Sequence, residues 1–372
     1  MMNNNLIIPK IRLKISSILN KLILGNIVGN IPYSVVRDIK EIIDLEQYKN
    51  KISIFKKLDD SYIEKYNFPD FYPMRFPREK AYEAKYIYEI NDAYISARTG
   101  IVWTDNGKIL LESVGSINRL IGWGGVLVDL LMNKSSYTIE DNVIVCPDTG
   151  YYHWLLEVLP NILHLLKNVD EDIKIVIPSK SSQYLITALK YILKDSYNEK
   201  IITLDKPIKV KKVYFAYFES QSGFVRKIDR DMLKKYFMID KNKDQKKRKI
   251  YISRLKAPKR SIGNEKEVEK FLKSKGFKIV YAEDLNWLEQ IELYNSADFI
   301  VAPHGAGLSN IIWCQKNTKV LEIFPYNNLH FCFATLAKSN NLEYDFMNCD
   351  KDMNSSGIVN LKILDKKVKS LE

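Results

Sequence analysis

Apolar and polar positions along this chain of 372 residues fall into two registers. Between residues 84 and 113 the runs "AKYIYEI", "AYISART" and "IVWTDNGKILLES" are short and strand-like. Asp105-Asn106-Gly107 interrupts the last of them as a hairpin turn, because Asn-Gly tolerates positive φ. From residue 142 the rhythm changes. "NVIVCPD", "IKIVIPS" and "KKVYFAYF" predict strands, while "YYHWLLEVLPNILHLLKN" and "SQYLITALKYILKD" place apolar residues three and four apart, as helices do. Such β-α-β alternation favours a parallel sheet covered by helices.

A charge-rich stretch, "KNKDQKKRK", reads as a linker or an exposed loop, and a cleaner alternation follows it. "KIYISR" predicts a strand, and "NEKEVEKFLKSKG" a helix stopped by Gly276. "FKIVYAED", "NWLEQIELYNSA", "DFIVAPHG", "LSNIIWCQ", "TKVLEIFP", "LHFCFATLAKSN" and "EYDFMNC" continue strand, helix, strand, helix, strand, helix, strand. Two Rossmann-like halves are the simplest architecture, residues 81–240 and 241–350. An N-terminal extension (1–80) precedes them, and a basic tail (351–372) is expected to pack back on the N-terminal domain. Within the extension, the prolines of "NFPDFYPMRFPREK" argue for an extended connector.

Composition sharpens this only in part. Hydrophobic residues make up 46% of the chain and aromatics 12%, enough for sizeable cores and against a disordered protein. A net charge of +12 points to anionic partners, namely nucleic acid, membrane surfaces or phosphorylated ligands. The charge is localised. Lys10, Arg12, Lys14 and Lys21 precede the first acid, and residues 241–260 carry ten basic residues against one acid. Cys146, Cys314, Cys332 and Cys349 lack the spacing of a zinc site and read as buried thiols in a reducing cytoplasm. No apolar run reaches the length of a membrane span. The basic, apolar N-terminus suits either an interfacial amphipathic helix or an ordinary surface helix.

Four groups of residues could carry chemistry. In "FIVAPHGAGLSNIIW" a buried strand ends at Pro303 and turns through His304, Gly305, Ala306, Gly307 and Leu308. Ligands of open parallel sheets bind beyond the carboxyl ends of strands. There the two glycines allow close backbone approach or positive φ, and the next helix offers free N–H groups to an anion. A tight turn with no ligand accounts for the same residue types. In "ISRLKAPKRSIGNEKEVEKFL", Arg254, Lys256, Lys259 and Arg260 follow a strand, and Asn264 stands where a helix cap would. Guanidinium groups grip phosphate oxygens in pairs, although a solvated basic loop looks the same. His153 and Glu157 lie four apart on one helix face, where together they could deprotonate a hydroxyl or simply pack. Glu322, in "TKVLEIFP", is either an acceptor for ribose hydroxyls or an ordinary strand residue. His164 and His330 read as core or surface.

Taken in order, "YYHWLLEVLPNILHLL", "ISRLKAPKRSIGNEKEV" and "SADFIVAPHGAGLSNIIWCQKNTKVLEIFP" resemble the three blocks of glycosyltransferase family 61. The resemblance covers roughly residues 100–345. It implies an α/β fold of the GT-B type, two Rossmann-like domains facing across a cleft. It further implies an inverting, metal-independent transfer from a nucleoside-diphosphate sugar, with UDP as the default, to a hydroxyl of a glycan acceptor. The family's relatives serve capsule, lipopolysaccharide, xylan and O-linked glycan synthesis.

Carried onto this sequence, the resemblance gives Arg254, Arg260, Asn264, His304, Gly305, Ala306, Gly307, Leu308 and Glu322 to the nucleotide sugar. Base duty goes to Glu157 or His153, with Glu157 preferred. Eukaryotic members often carry Asp at the position of Glu157, which keeps that choice open. No cofactor, metal or nucleic-acid partner is expected. The expected location is cytoplasmic, with the N-terminus as the candidate contact with the inner face of the membrane. The competing classes are a basic nucleic-acid-binding protein and a catalytically silent nucleotide-sugar-binding relative.

Overall fold

The computed structural model describes residues 34–36, 38–73, 75–114, 137–169, 172–218, 223–237, 248–256, 262–353, 355 and 357–372. The basic N-terminal segment, Lys259 and Arg260 therefore lie outside the described residues. The chain forms two compact units. One comprises residues 1–60, 84–149 and 161–220, and the other residues 61–83, 150–160 and 221–372.

A nine-stranded mixed sheet builds the first unit. At its centre Ile208–Ala216 runs parallel to Thr138–Val145, which is followed by Lys174–Pro178 and Ile201–Leu204, also parallel. This is the parallel sheet that the alternation after residue 142 predicts. On its other side the same central strand pairs antiparallel with Lys85–Ile95, so the first half is only partly of the Rossmann kind. "AKYIYEI" and "AYISART" merge into that one strand because Asp92 takes a left-handed φ of 51° without ending it. The predicted hairpin is present. Val102–Thr104 and Lys108–Leu110 pair antiparallel, with Gly107 at φ 82° donating its N–H to Thr104. Ile90, Val143, Val176, Ile208, Val210 and Val213 are fully buried in this unit's core.

The second unit holds a five-stranded sheet that is parallel throughout. Its strands are Arg248–Ser253, Lys278–Tyr281, Ala297–Pro303, Lys319–Phe324 and Glu343–Asn348, and in space they run second, first, third, fourth, fifth. In this order the first and third strands are neighbours whose connections depart to opposite sides. That is a topological switch point, where a crevice opens beyond the strands' carboxyl ends. Arg254 and His304 are the residues that follow those two strands.

Two other segments complete the second unit. The helix Leu361–Leu371 belongs to the tail expected on the N-terminal domain. Its apolar positions Leu364 and Val368 are instead fully buried in the same core as Tyr251, Val301 and Leu321. The proline-rich connector contributes Tyr72 and Phe76. Tyr72 donates its hydroxyl to the Tyr344 carbonyl at 2.8 Å, and both rings meet Phe346 edge-on. These aromatics bury enough apolar surface to fix a segment that lacks helical periodicity.

Candidate functional site

The turn after Ala297–Pro303 begins with His304, whose backbone N–H donates to the Ile323 carbonyl at 2.8 Å and so extends the sheet by one residue. Its ring lies between Phe324 and Phe333, with centroids at 5.2 and 5.4 Å. His304 Nδ1 is 2.5 Å from Glu322 Oε1, and Tyr344 donates its hydroxyl to Glu322 Oε2, also at 2.5 Å. Glu322 is completely buried. Burial pushes its carboxyl above the ordinary range, opposed by the hydrogen bonds from His304 and Tyr344. Both of its oxygens serve the protein, so what this acid does in the fold is hold an imidazole. The contact at Nδ1 fixes the orientation of the ring and leaves Nε2 as the outward nitrogen.

Neither Gly305 nor Gly307 uses positive φ. Gly305 is extended, with φ 170°, and its reason lies elsewhere: a Cβ at this position would collide with the guanidinium of Arg254. The Arg254 side chain thus crosses the switch point and rests against the backbone of the opposite strand's exit. A Cβ on Gly307 would meet open space. The following segment Ala306–Trp313, predicted as a helix, is a 3-10 helix in which Leu308 is buried as an anchor.

Arg254 is held from behind. Glu265, in the first turn of the helix Glu265–Ser274, accepts from the Arg254 backbone N–H at 2.9 Å and from Tyr251 Oη at 2.8 Å, while Ser253 Oγ lies 3.0 Å away. The carboxylate therefore ties the strand exit to the helix start. Asn264 occupies the cap position but does not cap. Its amide pairs with the Val359 backbone in both directions at 2.9 Å, which fixes the segment leading to the C-terminal helix.

His153 and Glu157 form a second pair of the same kind, with Nδ1 to Oε2 at 3.0 Å. Glu157 sits in a π-turn, Trp154–Val158, closed by the Leu159 N–H donating to the Trp154 carbonyl. Such turns are rare and recur at functional sites. The side chain of Glu157 is 3% exposed and that of His153 is 28% exposed. The carboxylate is again the inner member and the imidazole the outer one.

Residues 150–160 belong to the second unit, and the packing of this helix start explains it. Tyr151 donates its hydroxyl to Asn310 at 2.7 Å, Tyr152 accepts from the Gly223 N–H, and Trp154 meets Trp287 edge-on at 5.4 Å. Tyr152 also touches Phe333, at 5.9 Å, and His153, at 5.2 Å. Phe333 in turn touches His304, so two aromatic rings bridge the two His–Glu pairs. His330, read from sequence as core or surface, is exposed with its ring centroid 6.2 Å from His304. Although the residue is exposed, partial desolvation of the ring by its neighbours, then the proximity of His304 and Arg75, lower its pKa.

The structure brings His153, Glu157, Arg254, His304, Gly305 and Glu322 into one unit, with Ala306, Gly307 and Leu308 in the turn itself. Sequence reasoning missed Glu265, Asn310 and Tyr344. Asn310 and Glu265 lie inside the stretches singled out above, but nothing in their spacing marks them. Tyr344 reaches Glu322 only through strand register. Among the described residues no cluster of three or more His, Cys, Asp or Glu is arranged to hold a metal ion, and no helix is long and apolar enough to cross a membrane.

No curated protein matches the chain. Residues 151–321 match the family model described as Glycosyltransferase 61, a span that begins at the His153 helix and ends within the Glu322 strand. Over these residues, which contain the His153–Glu157 pair, the Arg254 strand exit and His304, with Glu322 one residue beyond, the chain is similar to glycosyltransferase family 61.

Proposed function

We propose that this glycosyltransferase moves a sugar from a nucleoside-diphosphate donor, with UDP as the first candidate, to a hydroxyl of a glycan acceptor. The observation that carries the reading is the switch point. There the Arg254 guanidinium lies against Gly305, beside an imidazole backed by a buried carboxylate. Cationic and N–H donors converging on a turn with open space at Gly307 suit a diphosphate.

In this reading the acceptor oxygen attacks the anomeric carbon from the face opposite the diphosphate, and its bond forms as the carbon–oxygen bond to phosphate breaks. The configuration inverts. The acceptor proton passes to His153 Nε2, because Glu157 is buried and spent on holding Nδ1. This assigns the base to His153 and the orienting role to Glu157. Charge developing on the leaving diphosphate is met by Arg254, by His304 and by the N–H groups of the Ala306–Gly307 turn, without calling on a metal. Arg260 is assigned to the same phosphates through the family resemblance. A GT-B arrangement belongs to the reading, as do a role in capsule, lipopolysaccharide or related glycoconjugate synthesis and a cytoplasmic, membrane-peripheral location.

A thermal-shift screen of nucleoside diphosphates and nucleotide sugars against short RNA tests the proposal, followed by linkage analysis of any product. Stabilisation by a nucleoside diphosphate and a product of inverted configuration are expected. No shift with any nucleoside diphosphate, with salt-sensitive RNA binding in its place, would overturn it.

A further inference from the structure

We propose that Asn310 is a positioning residue that locks the foot of the His153 helix to the phosphate-facing turn. The inference rests on the reading of that turn and of His153 given above. Asn310 is completely buried in the 3-10 helix that follows the turn. Its Oδ1 accepts from the Tyr151 hydroxyl at 2.7 Å and from Trp313 Nε1 at 3.2 Å. Its Nδ2 donates to Gln290 Oε1 at 3.0 Å and to the Gly307 carbonyl at 3.2 Å.

A side-chain amide has two acceptor lone pairs and two N–H donors, and all four are used. The arrangement also fixes which way the amide faces. Turned over, it would set its NH2 group against two donors and its oxygen against two acceptors. The Gly307 carbonyl is held a second time, by the hydroxyl of buried Tyr294 at 3.0 Å. Tyr151, on the other side of the amide, stands two residues before His153 on the helix start that carries it. One amide therefore reads the backbone of the turn with its nitrogen and the foot of the dyad helix with its oxygen. A shift at either end breaks a hydrogen bond to a fully buried amide and leaves one of its polar atoms unpaired.

An alternative is that Asn310 merely stabilises the fold, and Tyr151→Phe separates the two because it deletes one hydroxyl and keeps the ring. The chain has four histidines, so each imidazole can be followed by 15N-histidine NMR without substrate. Tyr151→Phe is expected to change the His153 resonances and leave those of His304 unmoved. Its kcat should fall about tenfold, the worth of one hydrogen bond, while nucleoside-diphosphate affinity stays within about twofold. Asn310→Asp keeps the oxygen and loses both donors, and should lower diphosphate affinity as well. If Tyr151→Phe leaves the His153 signals unchanged, or shifts all four histidines alike as a general loosening would, the proposal fails. Because that spectrum needs no ligand, it judges the coupling even if the wild-type protein binds no nucleotide, an outcome that would count against the proposed function instead.

Discussion

His304 and Glu322 meet through Nδ1 and Oε1 at 2.5 Å, with the carboxylate wholly buried and its second oxygen taken by Tyr344. The pair explains why an acid stands inside a strand of the second sheet: it orients one ring at the sheet's switch point. Glu322→Gln keeps the shape and replaces a charged acceptor with a neutral one, about half as strong. Nucleoside-diphosphate affinity measured by calorimetry should fall about tenfold. Tyr344→Phe, which leaves the His304 contact in place, should cost less.

Gly305 supplies a second test. Its backbone is extended, so alanine brings no φ strain, and the whole effect should come from the clash with Arg254. Gly305→Ala is expected to weaken diphosphate binding about 10- to 100-fold, as does Arg254→Ala. Combined, the two should cost no more than Arg254→Ala alone. Additive losses in that double-mutant cycle would mean the two residues act separately.

The dyad helix predicts a different signature. His153→Ala and Glu157→Gln should retain nucleotide affinity and lose transfer, by about 10²- to 10⁴-fold for His153. Glu157→Gln should lose less than His153→Ala, because it disturbs the orientation of the imidazole without removing it. Single-turnover transfer rates decide the order, and a larger loss in Glu157→Gln would move the base to the carboxylate.

Glu112, in the first unit, makes stability depend on pH. Burial, then the nearby Asp38 charge, push its carboxyl up to about 7, against hydrogen bonds from Tyr88 and the Ile39 amide. A pKa raised on folding gives stability that is complete below the unfolded value near 4.5 and is lost as pH rises through about 7. Relative to Glu112→Gln, the wild-type protein should lose up to about 3 kcal/mol between pH 4.5 and 8. Urea midpoints of the two proteins across that range check it. A constant gap between them would place the carboxyl at its ordinary pKa.

Much of the second unit was legible beforehand. Its five strands match the runs from "KIYISR" to "EYDFMNC", two of them starting one residue earlier, because strands of a sheet buried on both faces read as continuous apolar segments. Gly276 ends its helix with φ 83°, as the sequence suggests. The helix expected over "LSNIIWCQ" forms as a 3-10 helix shifted towards the turn, a difference that apolar periodicity over eight residues does not resolve.

The sequence by itself determined the local elements, the family likeness over residues 151–321 and the residue types gathered at the turn. Those depend on short-range periodicity and on motifs read within a few residues. Tertiary structure alone decided who partners whom. It seated the Leu361–Leu371 helix in the second core, grouped residues 150–160 with that unit, and set the buried Glu322 between His304 and Tyr344. It also gave Gly305 its reason, an arginine rather than a left-handed turn. Such pairings join positions far apart in the chain, and strand order and side-chain packing set them, which no local pattern encodes.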